Sequence, residues 1–266
     1  YTERSFNYRK IFHPETKFFH PKDTFGIFME NLDYRFPPAV GARDAYDENT
    51  GYVYRFNVQH NIADLVNLLG GKKVFVEELE NMYNTPLGKG RPDFYHIYAD
   101  HTGNVGQYSM GNEPAMHIPY LYNYAGQPWR TQKRIRTLLN QWFRNDLMGI
   151  PGDEDGGGLT AFVVFSMMGF YPVTPGLPMY VIGSPVFERL TIKLSNGKTF
   201  EVVCDNYSPD NKYIQSAIFN GKVWNKSWFT HDELMKGGKL EFVMGKHPNK
   251  QWASSDNAIP PSFSMK

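Results

Sequence analysis

Three acidic stretches hold the side chains best suited to chemistry. Gly152-Asp153-Glu154-Asp155-Gly156-Gly157-Gly158 sets three adjacent carboxylates before three glycines and an apolar run. Like charges crowded beside apolar surface are costly unless a cation or a proton relieves them. The segment therefore suits acid–base work or a hard cation. Its Asp-x-Asp-x-Gly start resembles a helix-loop-helix calcium loop, but position 12, where a bidentate Glu is needed, is Val164, so that reading fails. The plain alternative is a charged loop in which Asp155 caps the helix that follows.

The second stretch is Gly111-Asn112-Glu113-Pro114, with His117 four residues after Glu113. Asn112 or Glu113 can cap, and Pro114 suits a first helical turn. Glu113 and His117 could share a helix face, but one His and one Glu are too few for zinc. Oxygen donors from Asn112 and Glu113 fit calcium better. The alternative is an ordinary cap followed by a core histidine. The third stretch is Asp47-Glu48-Asn49-Thr50-Gly51-Tyr52-Val53-Tyr54-Arg55-Phe56. A carboxyl packed on aromatic surface has a raised pKa, which suits a general acid. The alternative is a solvated loop with Arg55 in a surface salt bridge. The sequence contains no phosphate-binding P-loop, dinucleotide fingerprint, His-Glu-x-x-His or Gly-x-Ser-x-Gly elbow.

The elements that must position these stretches are mainly helices, then strands. NIADLVNLLGG has helical spacing and a Gly70-Gly71 stop. KKVFVEELENMY follows, with Glu77, Glu78 and Glu80 on an expected solvated face. MHIPYLYNYAG is apolar nearly all round and should be buried, and QPWRTQKRIRTLLNQWFRNDL is amphipathic. GGGLTAFVVFSMMGF is apolar on every side, which implies a central helix. The pattern predicts about six helices over residues 1–170. From Tyr171 the period becomes alternating, so residues 171–266 are expected to form a small antiparallel β region with type I′ turns at Asn196-Gly197 and Asn220-Gly221. The start, TERSFNYRKIF, reads as the end of a buried helix already under way, which suggests a portion of something longer.

Composition narrows the class. The formal net charge of +1 gives no basic stripe for nucleic acid. No apolar run reaches the roughly 18 residues of a membrane span. The single cysteine, Cys204, excludes an internal disulfide framework and a Cys-rich zinc site, and in a predicted strand it reads as a buried small hydrophobe. Aromatics reach 16%, which suits a large core or ring faces that stack on sugars.

Taken together, these segments resemble glycoside hydrolase family 92, the calcium-dependent exo-acting α-mannosidases. The resemblance is carried by MGNEPAMHIPYLYNYAGQPWRTQ, GIPGDEDGGGLTAFVVFSMMGFYPVTPG, YVIGSPVFERLTI and IQSAIFNGK…FTHDELMKGGKLEFVMG. NYRKIFHPETKFFHPKD and YRFNVQHNIADLVNLLGG add to it. It implies an amino-terminal β-sandwich followed by an (α/α)6 catalytic barrel, of which this chain is expected to be the carboxy-terminal portion. The missing amino-terminal portion would then be a required partner, and the chain alone should be inactive. The resemblance further implies inverting hydrolysis of terminal α-mannose, expected to be α-1,2-linked and on N-glycans, with Ca2+ contacting sugar hydroxyls. By position, Glu48 matches the general acid, with Tyr52 where Trp is usual. Asp155 matches the base and Asp153 the acid two residues before it. Many relatives have Asn at position 153, and Cys-Gly-Gln where this chain has Gly156-Gly157-Gly158. Asn112 and Glu113 match the calcium segment, with His117 and Arg55 as expected sugar contacts. A periplasmic, secreted or cell-surface location follows from the family. A rival function is a non-catalytic carbohydrate-binding module on the same scaffold.

Overall fold

A computed structural model describes residues 1–35, 45–97 and 99–263; the last three residues of the expected irregular tail lie outside them. The chain is mixed helix and strand and forms two compact units. The first comprises Tyr1–Met116 and Asp146–Leu159, and the second His117–Asn145 and Thr160–Lys266.

The first unit holds helices α1 (Gly51–Tyr54), α2 (Ile62–Leu69), α3 (Lys72–Asn84) and α4 (Arg91–Ile97) and the hairpin β1–β2 (Asn104–Val105, Tyr108–Ser109). α2 stops where Gly70 turns left-handed at φ 109°, a conformation that costs glycine little. α3 buries Phe75, Val76, Leu79, Met82 and Tyr83 along one stripe. The chain start is not a buried helix. Glu3–Lys10 is a 3-10 helix with no buried residue, tied down by Arg9 and Tyr8, which both donate to the buried Asp64 on α2.

The second unit contains α5 (Pro128–Trp142), most of α6 (Gly158–Met168), strands β3 to β10 and the short helix α7 (His231–Met235). Ile118–Ala125 is a 3-10 helix buried at every residue, as its all-round apolarity requires. α6 is less central than its composition predicts. Leu159 and Phe162 are fully buried while Val164 is 55% exposed, so only one stripe packs. Strands β3 (Phe170–Tyr171), β4 (Met179–Ile182) and β9 (Trp228–Thr230) form a three-stranded antiparallel sheet. The larger sheet runs β5 (Arg189–Lys193), β6 (Thr199–Asp205), β10 (Gly238–Gly245), β7 (Tyr213–Phe219), β8 (Lys222–Val223). Its pairs are antiparallel except β6–β10, which is parallel, with Leu240 opposite Val202. The alternating inner residues Phe200, Val202 and Cys204 of β6 and Leu240, Phe242 and Met244 of β10 share one core. Cys204 is buried there and its thiol is pushed up to about 12, foremost by burial.

Candidate active site

The Glu48 loop is held by α1. This single turn is anchored by Val53 and Phe56, both wholly buried. The Gly51 N–H donates to the Tyr34 carbonyl at 2.8 Å, and the Glu48 N–H donates to the Tyr54 hydroxyl at 3.3 Å. Arg55 ends the turn, 2% exposed. Its guanidinium lies 3.3 Å from the Phe18 ring centroid and pairs with Glu78. Burial lowers the Arg55 pKa and the Glu78 carboxylate opposes that shift. The alternative of a surface bridge needs correcting, because Arg55 is buried. This stacked and paired cation ties α1 to α3, while its Nε has no hydrogen-bond partner. Glu78 likewise leaves the solvated face expected for it.

The β1–β2 hairpin delivers the second stretch. The Gly111 N–H donates to the Thr102 carbonyl at 3.0 Å, and a 3-10 turn over Glu113–Ala115 follows, with Pro114 near its start. Asn112 is extended (φ −138°, ψ 138°) and makes no side-chain cap bond. It is 1% exposed, and neither of its amide atoms has a hydrogen-bond partner. Asn49, beside Glu48, is wholly buried in the same condition. Orphaned buried amides cost about 1–3 kcal/mol each, so such a pair beside acidic groups marks a place for a ligand, ion or water. α1 packs against this 3-10 turn, which brings the first stretch to the second.

Two glycines bring in the third stretch. A Cβ on Gly152 would lie 2.4 Å from the Gly111 carbonyl oxygen, and one on Gly111 would lie 2.2 Å from Thr102 Oγ1. Only glycine lets the two backbones pass at that distance. Each acidic motif thus begins with the residue that presses it against the other. The capping expectation for Asp155 is also corrected. The Glu154 carboxylate accepts the Gly157 N–H and the Glu154 carbonyl accepts the Leu159 N–H, so Glu154 serves the start of α6. Asp155 takes a left-handed backbone at φ 49°.

The outcome is a meeting of carboxylates. Asp155 lies close enough to Glu113 to act on its carboxyl. The Glu113 pKa is pushed up to about 7, first by burial, then by Asp155, with the Glu48 charge adding to it. Glu113 therefore senses both Glu48 and Asp155, which are 107 residues apart in sequence. Asp153 is exposed on the same loop as Asp155. His117 belongs to the second unit and is 3% exposed. The chain between Glu113 and His117 is 3-10 in character, so the four-residue spacing does not set one helix face.

The donor set suits a hard cation. Among the described residues no three His, Cys, Asp or Glu side chains gather to hold a metal by themselves. Calcium, however, also accepts amide, carbonyl and water oxygens. The unpartnered Asn112 amide and the crowded Glu113 carboxylate offer that chemistry.

The glycosyl hydrolase family 92 catalytic domain matches residues 1–246, and the chain belongs to that family. It is 32% identical to an uncharacterized secreted glycosidase of the fungus Arthroderma benhamiae, over 99% of this chain and 34% of that protein. Among solved structures it resembles a family GH92 α-mannosidase from Bacteroides thetaiotaomicron in complex with mannoimidazole, with a TM-score of 0.88 and 35% identity over 98% of this chain and 34% of that one. It also resembles a family GH92 inverting mannosidase from the same bacterium, with a TM-score of 0.85 and 34% identity over 98% of this chain and 35% of that one. The chain thus spans about one third of the length of these relatives.

Proposed function

We propose that this chain carries the catalytic carboxylates of an inverting exo-α-mannosidase that acts on terminal α-linked mannose of glycans outside the cell. The observation that carries the reading is the meeting of three sequence-distant acidic stretches, in which the Glu113 carboxyl feels both Asp155 and Glu48. Inverting glycosidases need one protonated and one ionised carboxyl, set apart by room for a water. In this reading Glu48 gives its proton to the glycosidic oxygen. Asp155 takes a proton from the attacking water, with Asp153 on the same loop assisting. Asn112 and Glu113 would hold a calcium ion, which when bound supplies positive charge for sugar hydroxyls and for the crowded carboxylates. The buried Arg55–Glu78 pair keeps the Glu48 loop fixed while charge moves. His117 is kept as a sugar contact.

The helices would form part of an (α/α)6 barrel, and the preferred bond would be α-1,2 in N-glycans. The secreted name of the fungal relative favours an extracytoplasmic location. Among the described residues no helix is long and apolar enough to cross a membrane. The test uses enzyme expressed from the complete reading frame. Its hydrolysis of an α-mannoside is followed by NMR, with calcium and after chelation. Release of β-mannose that stops on chelation and returns with calcium supports the reading. Release of α-mannose as first product overturns inversion, and activity indifferent to chelation overturns the ion. Sugar binding without turnover would point to the binding module.

A further inference from the structure

The Glu48 loop is clamped from both sides by residues 18–34 of the first unit. Ahead of Glu48, the Tyr46 hydroxyl donates to the Phe19 carbonyl at 2.8 Å. After it, the Gly51 N–H donates to the Tyr34 carbonyl at 2.8 Å. α1 is only four residues long, and a single helical turn does not hold itself. Its two ends are instead fixed by a three-layer stack. Phe18 and Tyr34 lie face to face, with ring centroids 3.7 Å apart and an interplanar angle of 2°. The Arg55 guanidinium is 3.3 Å from the same Phe18 centroid. Groups that close cannot share one face of a ring, so Tyr34, Phe18 and Arg55 are layered in that order. Tyr34 meets the start of α1 through its carbonyl, and Arg55 closes the other end.

His20 holds the outer layer of this stack. Its ring is buried, 2% exposed. Nδ1 lies 2.9 Å from the Met29 carbonyl, which can only accept, so Nδ1 carries a proton. An uncharged ring then presents Nε2 as an acceptor, and the hydroxyls of Tyr34 and Thr16 each stand 2.9 Å from it. The Phe18 face fixes the plane of the Tyr34 ring, and the bond to His20 fixes its place within that plane. A proton donor must come within about 2.6–3.2 Å of the oxygen it serves, so a small drift of its loop is enough to disable it. Resting on the reading of Glu48 as the acid, we infer that His20 and Tyr34 are positioning residues for it. Their bond sets the backbone at Gly51, three residues after Glu48, and through it the aim of the Glu48 carboxyl at the leaving oxygen. Neither residue exchanges a proton with the substrate in this role.

The test uses enzyme from the complete reading frame and two substrates. The leaving group of methyl α-mannoside needs a proton, and that of dinitrophenyl α-mannoside does not. Tyr34→Phe removes the hydroxyl and keeps the ring on Phe18. His20→Asn keeps an amide nitrogen near the Met29 carbonyl and removes Nε2; Tyr34→Phe covers the case in which it does not fold. General acid catalysis is worth about 10²–10⁴, and a misaimed acid forfeits part of that. Each variant should lose about tenfold in kcat/KM on the methyl glycoside and stay within about twofold of wild type on the dinitrophenyl one. The double variant should lose no more than the worse single, since both act through one bond. Equal losses on both substrates, the mark of a merely structural role, or an unchanged methyl rate in both variants overturns the positioning role. Glu48→Gln is run alongside. If it discriminates between the substrates while the His20 and Tyr34 variants do not, the positioning role falls alone. If Glu48→Gln does not discriminate either, the reading of Glu48 as the acid falls and takes the positioning role with it.

Discussion

Replacing Gly152 with Ala tests whether the catalytic loops depend on one close backbone approach. Gly152 has no left-handed φ, so alanine fits its backbone and the whole effect comes from the added methyl. That methyl would start 2.4 Å from the Gly111 carbonyl oxygen, 2.6 Å from Thr102 Oγ1 and 2.7 Å from Gly111 Cα, whereas ordinary contact begins at 3.4 Å. Two of these three neighbours are backbone, so the loops must part by about 1 Å. That displacement acts on the approach of Asp155 to Glu113, since one of the two lies on each loop. A misplacement of about 1 Å can cost roughly a hundredfold in rate, and the overpacking itself costs about 1–3 kcal/mol. Steady-state kinetics on an α-mannoside should show kcat down about a hundredfold, and the melting temperature should fall. Gly90→Ala is the matched control. Its backbone also lacks a left-handed φ, and its added methyl meets only the Asp93 carboxylate at 3.5 Å and Pro92 Cδ at 3.8 Å. If Gly152→Ala kept wild-type kcat and melting temperature, the two-glycine contact would not position the site.

Other perturbations separate the scaffold from the chemistry. Glu78→Ala strands the buried Arg55 cation, whose side chain is 3% exposed, and should destabilise by about 3–5 kcal/mol in denaturant unfolding; a loss under about 1 kcal/mol would refute the burial argument. Asp64→Asn should lower the melting temperature near neutral pH and flatten its acid dependence. Burial raises the Asp64 pKa, but hydrogen bonds from Arg9 and Tyr8 outweigh it and leave the folded value below the ordinary one. The stability it contributes is therefore present above the unfolded pKa near 4 and is lost as pH falls through the folded value. Glu113 has the opposite sign. Its folded pKa of about 7 exceeds the unfolded value, so the folded state binds the extra proton. In chelator, the melting temperature of enzyme with Glu113 should rise, relative to Glu113→Gln, as pH drops from about 7 toward about 4.5; parallel pH profiles would contradict the crowding.

The regular parts of the fold were legible because local pattern decides them. α2 and α3 follow from helical spacing with a Gly70-Gly71 break, and the type I′ turn at Asn220-Gly221 has the two positive φ values it needs, 48° and 78°. At Asn196-Gly197 only Gly197 is left-handed, at φ 81°, and the Gly197 N–H donates to the Leu194 carbonyl. The hairpin is in the expected place with a different turn. The parallel β6–β10 pair was hidden because three strands and a helix lie between its members, and nearest-neighbour pairing cannot foresee that. α7 was missed although Thr230 and Glu233 form a capping box that the Thr-x-x-Glu spacing announces. In the site, the three acidic stretches stood out as charge beside glycine. Arg55–Glu78 and Gly111–Gly152 did not, because both are contacts between residues distant in sequence.

The most direct measurement compares wild type and Glu48→Gln on two substrates that differ only in the leaving group's need for a proton. Methyl α-mannoside requires protonation as it departs, and dinitrophenyl α-mannoside does not. With Glu48 as the acid, the variant should lose about a hundred- to ten-thousandfold in kcat/KM on the methyl glycoside and keep most of its rate on the aryl one. Equal rates for variant and wild type on the methyl glycoside would contradict that role, and with it the convergence of Glu48, Glu113 and Asp155 on one bond.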